Sequence, residues 1–153
     1  MEKYDSKADT LEHINRVAGL MMAAAQELLS RAAVHDASKL TDAEKPYFDK
    51  YTPMLAKTDY GSIEYKEMLS AIRPALEHHY DNNPHHPEYH EEGIDGMNLF
   101  DIMEMFMDWK AASERHENGD IRRSISINEG RFGMSPQLAR ILQNTADYLN
   151  WEK

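Results

Sequence analysis

The sequence predicts an all-α fold, an irregular bundle of about five to seven helices. Three observations predict it. Apolar residues recur at helical spacing nearly throughout. Capping residues, prolines and glycines punctuate the chain at helix-length intervals. No segment alternates apolar and polar residues as a half-buried strand would, and no internal repeat appears. The 153 residues form most simply a single domain, 1–153, without a linker.

The first helix runs through "ADTLEHINRVAGLMMAAAQELLSRAAV". Leu11, Ile14, Val17, Leu20 and Met21 line one face. His13 sits beside Ile14 and one turn before Val17, on the border of that face. Thr41 and Glu44 have the spacing of a capping box, which opens a second helix through "DAEKPYFDKYTPMLA". Pro46 suits its first turn, and Pro53 kinks or ends it. A third helix, "IEYKEMLSAIRPALEHHY", contains Pro74. "DNNPHHPEYHEEGIDG" reads as a loop. A fourth helix follows, "MNLFDIMEMFMDWKAASERH", with Asn118-Gly119 as its stop. "DIRRSISINEGRF" is a short helix, and Ser135-Pro136 starts the last one.

Composition narrows the function classes. Charged residues are 29% of the chain and hydrophobic residues 41%, as in soluble globular proteins. No run approaches the ~18 consecutive apolar residues of a membrane helix. The charged start, "MEKYDSKADT", lacks a secretory pattern. A net charge of −10 argues against general nucleic-acid binding, which needs concentrated Lys and Arg. With no cysteine, any metal must sit on His, Asp and Glu, and the chain suits a reducing cytoplasm.

Four groups of metal-ligand candidates occur in order. They are His13, the His35-Asp36 pair, the cluster His78, His79, His85, His86 and His90, and the acids of the fourth helix. Five of the eight histidines fall in that cluster. Asp101, Glu104 and Asp108 share one helix face, flanked by Phe100, Met103 and Met107. Carboxylates beside apolar groups need a counter-cation. Each feature alone has an ordinary reading, as a solvated face or a surface loop. Their ordered co-occurrence points to a divalent metal, one or two ions of Mn, Co, Zn, Fe or Mg.

His13, "HD" at 35–36 and "DIMEM" at 101–105 resemble the HD-domain superfamily of metal-dependent phosphohydrolases. The resemblance implies an HD-like helical fold in which His13, His35, Asp36 and Asp101 hold a metal. "DIMEMFMDWKAASERHENGD" is similar to the last ligand helix of the small 5′-deoxynucleotidases, with Asp108 as a competing position for the ligand. "HDASK" resembles the "HDxGK" of HD phosphodiesterases, whose lysine faces the phosphate. Lys39 stands where the deoxynucleotidases carry an acidic residue. HD phosphodiesterases add histidines for a second metal, a role open to His79 and His86. HD frames also include di-iron oxygenases. The "HDxSK", "NPHH" and "EMxxDWKAA" blocks and the tail "SISINEGRF" resemble a family of phage and bacterial proteins over nearly the whole chain, a likeness that names no substrate.

The expectation is therefore an HD-type phosphohydrolase. A metal-activated water would attack the phosphorus of a small metabolite, most plausibly a nucleotide. Asp36 would orient the water, Glu104 would act as general base or support, and Lys39 would neutralise phosphate. Tyr80, Tyr89 and Trp109 could stack on a base, and Arg122, Arg123 and Arg131 could clamp a phosphate. The alternatives are a di-iron oxygenase and a non-catalytic nucleotide-binding module. No membrane partner is expected, homo-oligomerisation stays open, and the expected location is the cytoplasm of a bacterium or of a phage's host.

Overall fold

A computed structural model describes residues 5–55, 57–58, 62–115 and 119–151. It is all-helical, with no strand among the described residues. Six α-helices are described: α1 (Lys7–Val34), α2 (Lys45–Leu55), α3 (Ile63–Asn82), α4 (Leu99–Glu114), α5 (Ile121–Phe132) and α6 (Pro136–Tyr148). Short 3-10 turns occupy Ala37–Leu40, Pro87–Tyr89 and Gly93–Gly96. Asn118, half of the stop expected for α4, lies outside the described residues.

The chain divides into two compact units, Met1–His35 and Asp36–Lys153, where the sequence reads as one domain. The first unit is essentially α1. Its apolar stripe exists as spaced, yet no residue of α1 is buried, and Leu11, Ile14 and Met21 are exposed. A single helix has no second layer of its own to bury a stripe against. The segment Lys7–Leu40 is also long and apolar enough to cross a membrane. Its apolar run, "VAGLMMAAA" at 17–25, is only half the length that spans a membrane. Soluble core helices and signal sequences meet the same criterion.

The second unit contains the core. Met105 and Phe106 of α4 pack with Ile121 and Ile125 of α5 and with Ala139, Leu142 and Ala146 of α6. Local chemistry fixes these helices. Asn98 and Asp101 form a reciprocal capping box on α4. The Asp120 side chain accepts from the Arg122 amide to start α5. Gly133 ends α5 in the left-handed conformation, φ 63°. Ser135 caps α6, with Pro136 in its first turn.

α3 packs on α2. Its buried residues Met68, Ile72, Ala75 and His79 recur at spacings of four, three and four. The apolar stripe of α3 thus ends in a histidine. Pro74 lies inside α3 and Pro53 near the end of α2.

The expected capping box at Thr41–Glu44 does not form. The Thr41 hydroxyl donates to the Ser38 carbonyl, α2 starts only at Lys45, and the Glu44 side chain turns inward.

Candidate metal centre

The site of the second unit is built from four pieces: the 3-10 turn after Asp36, the end of α3, the loop at 83–98, and α4. Asp36 has left-handed backbone geometry, φ 56° and ψ 14°. Aspartate tolerates this better than most residues, because its short side chain bonds locally. Its carbonyl accepts from the Lys39 amide at 2.9 Å, which closes the turn. That turn aims the carboxylate at the end of α3.

There it meets three imidazoles. Asp36 Oδ1 lies 3.2 Å from His79 Nε2 and 3.5 Å from His85 Nε2. His79 Nε2 lies 3.0 Å from His86 Nε2. Asp36, His79, His85 and His86 each offer one donor atom, all within 4.8 Å of one another. Adjacent donors bound at about 2.1 Å to one ion stand roughly 3.0–3.4 Å apart, so this spacing suits a shared cation. The donor set, imidazole nitrogen with carboxylate oxygen, suits Zn, Mn, Fe or Co. Asp108 of α4 offers a carboxylate oxygen within 4.8 Å of one from Asp36. Two carboxylates this close repel unless a cation lies near them.

Support behind the imidazoles is specific. His79 Nδ1 faces Glu44 Oε2 at 3.0 Å. Glu44 is fully buried, and its other oxygen lies 2.7 Å from His78 Nδ1. His85 Nδ1 faces Glu104 Oε1 at 3.2 Å. A carboxylate at Nδ1 takes that nitrogen's proton as a hydrogen bond, leaving the Nε2 lone pair for a metal. Asn83 ties the assembly together, donating to Ser38 Oγ at 2.8 Å and to the His79 carbonyl at 2.7 Å. Phe48 of α2 packs edge-on against the His79 ring.

Electrostatics agree with the geometry. Burial alone would raise the Asp36 carboxyl. Hydrogen bonds to His79, His85 and Lys39, with the Lys39 charge, outweigh it and hold the group well below the usual carboxylate range. Burial, aided by repulsion from His85 and His79, pushes His86 down to about 3, against the pull of Asp108 and Asp36. At neutral pH the site thus presents an ionised carboxylate and a neutral His86, the forms that bind metals.

The structure brings together Asp36, His79, His86 and Asp108, and it backs His85 with Glu104. Lys39 pairs with Asp36 at 2.5 Å. His13 and His35 belong to the first unit, His13 on α1 and His35 at its C-terminal end. Asp101 is not among the gathered donors. Its Oδ2 accepts from the Asn98 amide at 3.0 Å and lies 3.8 Å from His90 Nε2, while Glu104 of α4 faces His85 and Asp108 lies by Asp36. Trp109 stacks on Phe132 against the core, which removes it as a base platform. Arg122 binds Asp147 and the Trp151 carbonyl, tying α5 to the chain end.

Sequence reasoning missed Glu44, Ser38 and Asn83, and it ranked His86 and His79 above His85. One signal was present: continuing the α3 stripe by four residues from Ala75 lands on His79. Nothing local marks Glu44, because its partners lie 34 and 35 residues away.

A model of a family of unknown function, DUF5662, matches residues 2–148. The chain belongs to this family. No curated protein and no solved structure matches it. The family carries no assigned chemistry, so the functional reading rests on the site.

Proposed function

We propose that the protein is a metal-dependent phosphohydrolase of HD type, acting on a small phosphorylated metabolite, most plausibly a nucleotide. One observation carries the metal part. Three imidazoles and a carboxylate converge within 4.8 Å, and carboxylates stand behind two of the imidazoles. Metal-binding imidazoles usually carry such a partner on the far nitrogen. The phosphohydrolase part draws on the HD resemblance of "HDASK" and on the lysine it retains.

A bound divalent ion supplies a water of lowered pKa and a Lewis acid for a phosphoryl oxygen. The chain's own residues do the rest. Glu44 and Glu104 fix the tautomer and orientation of His79 and His85. Asp36, held ionised, orients the attacking water through its carboxylate. Asp108, with a carboxylate oxygen within 4.8 Å of one from Asp36, would take that water's proton. Lys39, 38% exposed and beside Asp36, offers its ammonium to phosphate charge.

The test pairs a panel of nucleoside mono-, di- and triphosphates with Mn, Co, Zn, Fe and Mg. Release of phosphate, lost in Asp36→Ala, supports the reading. Oxygen uptake with stoichiometric iron would mark a di-iron oxygenase instead. Tight nucleotide binding without turnover would mark a binding module.

A further inference from the structure

A second polar cluster adjoins the metal centre and is not used by it. The Tyr80 ring packs 5.0 Å, centroid to centroid, from the His86 ring. Tyr80 follows His79 directly on α3, so it projects to the side of the donor cluster. Its hydroxyl lies in the fields of Glu88 and of Arg131 of α5. Arg131 Nη2 donates to Glu88 Oε1 at 2.9 Å, and the guanidinium lies over the Phe132 ring at 4.6 Å. The Arg131 side chain is 57% exposed.

This is the anatomy of an anion subsite. The guanidinium is placed by an aromatic face and a carboxylate, yet it remains open to solvent. Arginine has five N–H donors, and the Glu88 contact at Nη2 engages only part of the fork. Exposed Arg–Glu pairs are weakly held, so a ligand anion exchanges for Glu88 at low cost. The chain is strongly acidic, so it has little general attraction for anions to obscure a specific one.

From this juxtaposition we propose that Arg131, with the Tyr80 hydroxyl, forms a second anion-binding subsite. The substrate would then be a doubly anionic phosphorylated compound: one phosphate at the metal centre, and a second phosphate or carboxylate on Arg131. The inference rests on the metal-centre reading. It assigns Arg131 to substrate recognition and leaves metal binding to the histidines.

The test uses the Mn-loaded full-length chain with two probes, butyl phosphate and butane-1,4-diol bisphosphate, measured by calorimetry. Wild type is expected to bind the bisphosphate about tenfold more tightly than the monophosphate. Arg131→Met should erase that difference while leaving Mn affinity and monophosphate affinity unchanged. Arg131→Lys should restore part of it. Glu88→Gln, which frees the guanidinium from its carboxylate, should tighten the bisphosphate about twofold or more. Equal binding of the two probes by wild type overturns the subsite and leaves the metal centre standing. So does an Arg131→Met variant that weakens Mn or butyl phosphate equally, since Arg131 would then merely brace the loop through Glu88. Failure to bind Mn at all overturns the metal centre, and the subsite with it.

Discussion

Glu44 is the residue whose replacement separates a metal centre from a histidine cluster that merely fills space. Both its oxygens are engaged, by His78 and His79, and it is fully buried. Glu44→Gln keeps the size but removes the charge that holds the proton on His79 Nδ1. Metal affinity, followed by Mn or Co titration, should fall roughly 10- to 100-fold, the usual effect of losing such a partner. An unchanged affinity would mean that His79 does not bind the ion. Asp36 allows a second test at this scale. Asp36→Asn preserves tolerance of the left-handed backbone but removes the one carboxylate charge among the four clustered donors. Folding should survive, by circular dichroism and thermal melting, while metal binding is lost.

Among the elements, α4 divides its labour. One face packs Met105 and Phe106 into the core, and the other presents Glu104 and Asp108 to the site. Phe106→Ala should cost about 3–5 kcal/mol in urea unfolding, because it empties a fully packed position. Asn98→Ala should cost about 1 kcal/mol through the lost cap. A smaller loss on Phe106→Ala would show that the α4–α5–α6 contact does not carry the core. This division also shows what was legible beforehand. Helix content, the cap at Ser135 and the shared face of Asp101, Glu104 and Asp108 are local features, and sequence spacing reveals them. The role of each acid on that face is not local. Asp101 caps α4 at Asn98 and lies by His90, while Glu104, one turn further along, faces His85 and Asp108, two turns along, lies by Asp36. Thr41 and Glu44 likewise have capping-box spacing, but a buried carboxylate gains more from two imidazoles than from a helix amide in contact with water. Trp109 reads as a free aromatic until Phe132, distant in sequence, stacks on it.

For the whole molecule, the site makes stability depend on pH. His86 has a folded-state pKa of about 3 against an ordinary 6.5. Between those values the unfolded chain binds a proton that the folded chain does not, so stability falls as pH drops through this window. Asp36, held below its usual 3.8, acts in the same direction: its contribution is present above that value and is lost as pH falls below it. With metal removed by chelation, the urea midpoint should decline steadily from pH 7 to pH 4. A midpoint that is flat over that range would contradict the half-buried, neutral imidazole. Among the described residues the packed core lies in the second unit, so this titration reports on the same part of the chain that holds the site.

The most direct measurement is elemental analysis of the purified full-length protein beside Asp36→Ala, after both are loaded with Mn, Co, Zn, Fe or Mg and dialysed. Wild type should retain about one to two divalent ions per chain, and the folded variant almost none. A wild-type chain that retains none of these metals would contradict it, as would a variant that retains as much as wild type.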